Sequence, residues 1–309
     1  MSDTRRAVLD ALGDGPVPGP ALADRLDVSR AAVWKHVEAL RAAGFGVESG
    51  PDGYRVTDVP DDGALAVEYG LDAPFTVEHH EELESTNARA RDLATRGERD
   101  VVVLADRQTA GRGRLDRAWD SPQGGVWLSV ALRPDVPAAR VAVLTLAAAV
   151  AAADAIRARG PAATIKWPND VLLDGEKLAG VLTEMEGEAD RVAWVVVGVG
   201  LNADVDADAL PAGATSIRAA TGEPVDRRSL VQDLLERFDA LRDDPAAALS
   251  AWRDRADTLG RRVRVETPGG TVEGEAIDVT DAGALLVETD AGRETVHAGD
   301  CEHLRPRQP

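Results

Sequence analysis

Only three of the chain's 35 basic residues are lysines, and two of them, Lys166 and Lys177, lie eleven residues apart. A compact ammonium on a flexible stem and a flat, forked guanidinium are not interchangeable where charge must sit at one point. A chain that uses arginine almost everywhere else therefore marks this stretch as a place where chemistry selects lysine. Lys166 opens the run Lys166, Trp167, Pro168, Asn169, Asp170, and Lys177 opens Lys177, Leu178, Ala179, Gly180. Asn169 can discriminate a ring or a ribose by hydrogen bonds, and Asp170 can hold Mg2+ or orient a lysine. The plainer alternative is a strand-ending Pro-Asn-Asp turn. A hairpin at Asp174 and Gly175 would bring Lys177 back beside Asn169 and Asp170.

Upstream, Gln108 precedes Gly111, Arg112, Gly113 and Arg114. Glycines let the backbone approach a ligand and the arginines supply fixed positive charge, which suits a phosphate. Gly-Arg repeats also occur in flexible tails, so the loop takes its meaning from its neighbours, Trp119 and the turn from Ser121 into a strand with Trp127 and Ser129. Gly198 and Gly200 alternate along an apolar strand ending at Asn202, leaving one face free of side chains for a flat ligand. Ser85, Thr86 and Asn87 stand at a strand-to-helix junction, where the plain reading is an N-cap.

These residues need a scaffold. Strand patterns at 76–80, 101–105, 126–132, 164–167, 180–186 and 193–202 are interspersed with helices at 87–96, 140–159 and 227–241, which predicts an α+β sheet with helices packed on it. From Arg261 onward, short strands separated by Pro-Gly-Gly and two Asp-Ala-Gly turns predict a small β-barrel. At the N-terminus, helical patterns at 4–12, 21–26 and 30–40 are followed by two short strands around Gly50, Pro51, Asp52 and Gly53. The second and third helices are joined by a tight turn with Ser29 as N-cap, a winged helix-turn-helix pattern. Such a module assigns DNA contact to Ser29, Arg30, Lys35 and His36, with Arg41 nearby. The alternative is a solvated face on a dimerisation or structural module, because the local charge is not basic. The expected domains are 1–60 (winged helix), 61–72 (linker), 73–258 (catalytic) and 259–309 (barrel).

A formal charge of −19 comes from Asp and Glu spread along the whole chain. With little Lys and few aromatics, it suggests adaptation to high internal salt, where screening tolerates self-repulsion. Cys301, the single cysteine, excludes an intramolecular disulfide and a cysteine zinc cluster and fits a reducing cytoplasm. The N-terminus lacks a signal-peptide pattern. The longest apolar run, 141–153, falls short of the roughly 20 residues that span a bilayer, so it is expected as a buried helix and no membrane partner is expected.

Taken in order, Ser85 to Asn87, Gln108 with Gly111 to Arg114, Trp119, Lys166 to Asp170, Lys177 to Gly180 and Gly198 to Asn202 resemble the biotin protein ligases. The likeness runs over nearly the whole chain, and the winged helix in front resembles the bifunctional ligase and repressor type. The resemblance implies a class II synthetase-like catalytic domain and a C-terminal SH3-like barrel. It implies joining of biotin to ATP, as biotinyl-5′-adenylate, and transfer to one lysine of a biotin carboxyl carrier domain of a carboxylase. It further implies that Ser85, Thr86, Asn87 and Gln108 bind biotin with Gly111, Arg112, Arg114, Lys177, Gly198 and Gly200. Nucleotide contacts fall to Arg114, Trp119, Asn169, Lys177 and Asn202, and the catalytic roles to Lys177, Arg112 and Asp170. Mg2+ is expected with ATP, its protein ligands unknown; operator DNA and a homodimer are further expectations. Both reactants are anions, so Arg112, Lys177 and Mg2+ would neutralise their repulsion. Leu115 and Asp116 depart from the more basic continuation usual in that loop. Two rivals stay open: a lipoate-protein ligase, and a biotin-sensing DNA-binding regulator without catalysis.

Overall fold

The computed structural model describes residues 2–13, 15–188 and 191–304, in two compact units, Met1–Asp72 and Ala73–Pro309. The first unit contains helices α1 (Ser2–Leu12), α2 (Gly19–Arg25) and α3 (Arg30–Ala42), the hairpin β1 (Gly46–Gly50) and β2 (Gly53–Asp58), and a short helix α4 (Ala64–Glu68). Val8, Leu12, Leu22, Val33, Val37 and Leu40 meet in one apolar cluster, so the 3.6-residue repeat of α3 does face a core. Ser29 caps α3 by accepting a hydrogen bond from the Ala32 amide at 3.1 Å. Gly53 turns at φ +119, and a Cβ there would lie 2.1 Å from the Val17 carbonyl oxygen, so the hairpin needs glycine at this position. The 61–72 stretch, expected as a linker, contains α4: Ala66 is buried in the same cluster, and buried Glu68 pairs with Arg6 at 3.6 Å. Its apolar Ala-Leu-Ala-Val sequence is what gives the segment a face to bury.

In the second unit a seven-stranded sheet runs in the order β3-β4-β5-β9-β8-β7-β6. Its strands are β3 (Thr76–Leu83), β4 (Val101–Gln108), β5 (Val126–Leu132), β6 (Thr164–Lys166), β7 (Asp170–Leu173), β8 (Glu176–Gly187) and β9 (Val192–Leu201). Only β3 and β4 pair in parallel, joined through α5 (Thr86–Thr95). That helix packs on β4, β5 and β9, burying Ala90, Leu93 and Ala94 against Val103, Ala131 and Val196. The helical stretch Ala138–Arg157, which includes α6 (Val141–Arg157), is apolar and long enough to cross a membrane by length and composition, but α6 packs on β8 and β9 and against α8 (Arg227–Arg242) and α9 (Pro245–Arg255), a core helix as expected. α9 falls outside the helices expected from periodicity. Its alanine-rich run carries little amphipathic signal, and Asp244 caps it by accepting from the Ala247 amide at 3.0 Å. A one-turn helix, α7 (Ile217–Thr221), precedes α8.

The last five strands, β10 (Arg262–Thr267), β11 (Gly270–Val279), β12 (Leu285–Thr289), β13 (Gly292–Val296) and β14 (Asp300–His303), form an antiparallel sheet in the order β13-β12-β11-β10-β14. The turns fall where the glycines predicted them. The ladder leaves β13 and β14 as edges, so among the described residues no strand pairing closes the expected barrel. This sheet is tied to the larger one through Trp167: its amide donates to Thr258 Oγ1 at 2.9 Å and its buried indole Nε1 donates to the Gly283 carbonyl at 3.1 Å.

Candidate active site

A cavity of about 340 Å³ opens over β9 and β8, beneath the loop between β4 and β5. Asp170 is one of its lining residues. β6 turns through Trp167, Pro168 and Asn169 into β7, so Lys166 and Asp170 face each other as register partners. A second hairpin at Asp174 (φ 51) and Gly175 (φ +86) then sends β8 back along β7. Lys177 Nζ consequently lies 2.6 Å from Asp170 Oδ1, while Lys166 Nζ lies 3.4 Å from Asp170 Oδ2. The two retained lysines thus converge on one carboxylate, each on a different oxygen. The Lys177 backbone is clamped from outside the sheet as well, its amide donating to the Gly213 carbonyl at 2.8 Å and its carbonyl accepting from the Thr215 amide at 3.0 Å. That clamp comes from the connection after β9, which carried no sequence signal.

Trp119 forms the wall beside the lysine, with Lys177 Nζ 4.9 Å from its ring centroid. The alternate glycines were expected to leave a bare face for a flat ligand. The structure fills that face with protein. Gly180 and Gly200 are register partners on β8 and β9, and the Trp119 indole lies across both. A Cβ on Gly200 would come within 2.7 Å of the indole Nε1, and one on Gly180 within 3.2 Å of the ring. At Gly198 the occupant is Asn87, whose Oδ1 would meet a Cβ at 2.0 Å. All three glycines still line the cavity.

The other end of the cavity is a polar network. Ser85 caps α5, accepting from the Ala88 amide at 3.4 Å, so the plain reading holds for this residue, although it also lines the cavity. Gln108 Oε1 accepts from the Thr86 amide at 2.8 Å and from Thr86 Oγ1 at 3.1 Å, and Gln108 Nε2 donates to Ser121 Oγ at 2.9 Å. Ser129, fully buried on β5, donates to Asn87 Oδ1 at 2.6 Å and lies 2.8 Å from Thr86 Oγ1. Asn87 Nδ2 in turn donates to Glu184 Oε2 at 2.8 Å. Ser129, Ser121 and Glu184 are members that sequence reasoning missed; a serine alternating with apolar residues on a fully buried strand was the available signal for Ser129. Gly198→Val is expected to weaken binding of the biotin that the family resemblance implies here by at least about fivefold, because Asn87 must leave its place and a buried network that loses one partner costs on the order of 1–3 kcal/mol. Calorimetric titration of the folded variant checks this; unchanged affinity would remove Asn87 from the pocket.

The arginines divide. Arg114 is half-buried: its guanidinium donates to Asn169 Oδ1 at 2.8 Å and to the Gly299 carbonyl at 2.6 Å. Burial lowers its pKa, with Asp170 and Asp300 acting in the opposite direction, and it stays cationic at neutral pH. The loop's second arginine, expected to close over ligand, is therefore engaged in joining the two sheets. Arg112 is 68% exposed at the cavity mouth and pairs with Asp116, itself 90% exposed, at 3.4 Å. Such a pair contributes little. Asn169 Nδ2 donates to the Val181 carbonyl at 2.8 Å, and Asn202 Nδ2 to the Thr215 carbonyl at 3.0 Å, so both asparagines also hold the local backbone. Gly111 is sealed against Trp119 and Ser121, with a Cβ 2.5 Å from the Trp119 carbonyl oxygen. Burial pushes the Cys301 thiol up to about 12, which keeps it protonated and unreactive.

In the first unit Arg30 and Lys35 are exposed on α3 together with Trp34. Burial, and next the charge of Arg5, lowers the pKa of His36, so it adds no positive charge at neutral pH. Arg41 is committed elsewhere, donating to the Val47 carbonyl at 2.9 and 2.6 Å, to Ser49 Oγ at 2.8 Å and to Glu38 at 2.6 Å. It braces the hairpin rather than standing free for a phosphate.

The central sheet matches the biotin/lipoate A/B protein ligase family over residues 81–202. Residues 258–304 match the biotin protein ligase C terminal domain, and residues 4–55 an HTH domain. The bifunctional ligase/repressor BirA of Bacillus subtilis (strain 168) is 39% identical over 311 residues, 94% of each chain. The biotin--[acetyl-CoA-carboxylase] ligase of Paracoccus denitrificans is 41% identical over 233 residues, 70% of this chain and 96% of its own. A solved biotin protein ligase from Aquifex aeolicus, in complex with biotin and ATP, superposes with a TM-score of 0.64 at 25% identity, over 74% of this chain and 99% of that one. The chain belongs to the biotin protein ligase family, of the type that carries an N-terminal helix-turn-helix.

Proposed function

We propose that this protein activates biotin with ATP as biotinyl-5′-adenylate and transfers the biotinyl group to one lysine of a biotin carboxyl carrier domain. The observation that carries the reading is the pairing of Lys177 with Asp170 beside Trp119 over paired glycines. It places one mobile ammonium at the junction of a flat apolar wall and a polar end pocket. In the first step a carboxylate oxygen of biotin attacks the α-phosphorus of ATP, and the bond to pyrophosphate breaks. Both partners are anionic, so Lys177, held against Asp170, supplies a point charge between them, and Arg112 supplies a second when the loop covers the site. Thr86, Asn87 and Gln108, already fixed by Ser129 and Ser121, present a preset polar pocket for the ureido ring. Trp119 offers its ring to the adenine, while Asn169, Asn202 and Arg114 frame the nucleotide end. Among the described residues no three His, Cys, Asp or Glu side chains are grouped to hold a metal, and Asp170 already faces two lysines. Mg2+ would arrive with the nucleotide as MgATP, its charge balanced by phosphate oxygens. The matched C-terminal domain favours biotin over lipoate.

The exposed Arg30, Lys35 and Trp34 of the helix-turn-helix support operator binding and a repressor role. Labelled biotin, ATP and Mg2+ at high salt, with and without a carrier domain, should yield adenylate and labelled carrier; lipoate in place of biotin should yield neither. Deleting residues 1–72 is expected to abolish DNA binding in a mobility-shift assay while leaving ligation within about threefold, because the first unit has its own core. Complete loss of ligation would show that the units depend on each other.

A further inference from the structure

Lys166 has no part in the chemistry described above, yet it is one of only three lysines and stands within reach of Asp170. Its surroundings differ from those of Lys177. A second, larger hollow of about 930 Å³ lies beside β6 and β14. Lys166, Ala162 and His303 line this groove and not the first cavity, whereas Asp170 and Lys177 line both. The carboxylate of Asp170 is thus a partition with Oδ1 held by Lys177 and Oδ2 held by the groove-side ammonium.

We infer that Lys166 is a positioning residue for the transfer step, holding Asp170 Oδ2 until the ammonium of the acceptor lysine, entering along this groove, takes its place. The inference rests on the ligase reading and adds to it a route and a residue. The acceptor carries the same group as Lys166, an ammonium on a four-carbon stem, and a carboxylate oxygen that already receives one such group from the groove is shaped to receive another. A lysine can swing away; an arginine, with its planar fork, would grip both carboxylate oxygens and hold on. That is a physical reason for lysine at this position in an arginine-rich chain. Once seated, the acceptor loses one proton to water in the groove, its amine attacks the acyl carbon of the adenylate, and the carbon–oxygen bond to AMP breaks. AMP leaves with that electron pair, and the second proton departs from the new amide nitrogen to water.

The test separates the two half-reactions in the full-length protein. In Lys166→Arg, pyrophosphate release from biotin and ATP should stay within roughly threefold of wild type, while single-turnover transfer from preformed adenylate to carrier should fall at least about tenfold. Hydroxylamine, a small neutral nucleophile that needs no seat on Asp170, should trap the adenylate at the wild-type rate. Lys166→Met should transfer better than Lys166→Arg, the reverse of what a merely charge-balancing residue would show. Ala162→Trp, which fills the groove from an exposed position, should raise the KM for carrier about tenfold with kcat and the biotin and ATP constants unchanged. Unimpaired carrier transfer by Lys166→Arg, equal slowing of carrier and hydroxylamine, or an unchanged carrier KM in Ala162→Trp would overturn the inference. Absence of adenylate from the wild-type protein would instead overturn the ligase reading itself, and this inference with it.

Discussion

Lys177→Met is expected to lower the rate of adenylate formation by on the order of 10²–10³-fold, the loss seen when one preorganised charge is removed from a developing anionic centre. Methionine keeps an unbranched stem of similar length, so the contact with Trp119 can persist while the ammonium is lost. Asp170 would then keep only Lys166, at 3.4 Å and on its far oxygen, and the repulsion between carboxylate and triphosphate would go unscreened on the cavity side. Biotin affinity should change little, because the ureido end is held by Thr86, Gln108 and their partners, none of which touches Lys177. Pyrophosphate release and equilibrium biotin binding, measured on the same sample, decide the matter. Wild-type turnover would remove Lys177 from the mechanism.

Arg112→Gly should release adenylate to solvent, raising free biotinyl-adenylate at least about tenfold while the first step still proceeds, since a mixed anhydride is retained only while its site stays closed. The loop is built for movement at its tip and anchored at its base. Leu115 and Asp116 both sit at left-handed φ, 57° and 54°, which costs non-glycine residues about 1–2 kcal/mol each. Leu115 is 71% exposed, and Arg112 pairs with an exposed aspartate. Arg114, by contrast, is fixed to Asn169 and Gly299. A change of tip conformation could relieve the backbone strain and turn Arg112 toward the phosphate, and glycine removes the cation that would make this favourable. Rapid filtration of reaction mixtures, with unrelated lysine-bearing protein as a scavenger, would measure the leak. Tight retention of adenylate by the variant would contradict the loop's role.

Much of the site was legible because its signals are local. Pro168 and the Asp174–Gly175 turn specify two successive hairpins, and hairpin geometry alone returns Lys177 to Asp170. The alternation of Gly198 and Gly200 identified a close-approach strand, but what approaches could not be read: Asn87 and Trp119 arrive from distant segments. The tertiary partners of Arg114 were hidden for the same reason. Its partners Asn169 and Gly299 are 55 and 185 residues away, and nothing in a Gly-Arg-Gly-Arg run distinguishes an arginine aimed at ligand from one aimed at a neighbouring sheet. Helix α9 and α4 were obscured by alanine-rich sequences with weak amphipathic contrast, and Arg41 by a polar position that gives no hint of the Val47 carbonyl and Ser49 hydroxyl waiting in the hairpin.

Gly198 and Gly200 are pressed against Asn87 and Trp119, so neither can acquire even a methyl group without displacing a wall of the pocket, and Gly180 can do so only where Lys177 and Trp119 give way by a few tenths of an ångström. The floor of this enzyme is therefore closed to gradual evolutionary change. A lineage altering which vitamin it accepts would have to do so from the sides, through lining positions such as Leu128 or Leu210, where one substitution reshapes the outline and leaves the base intact.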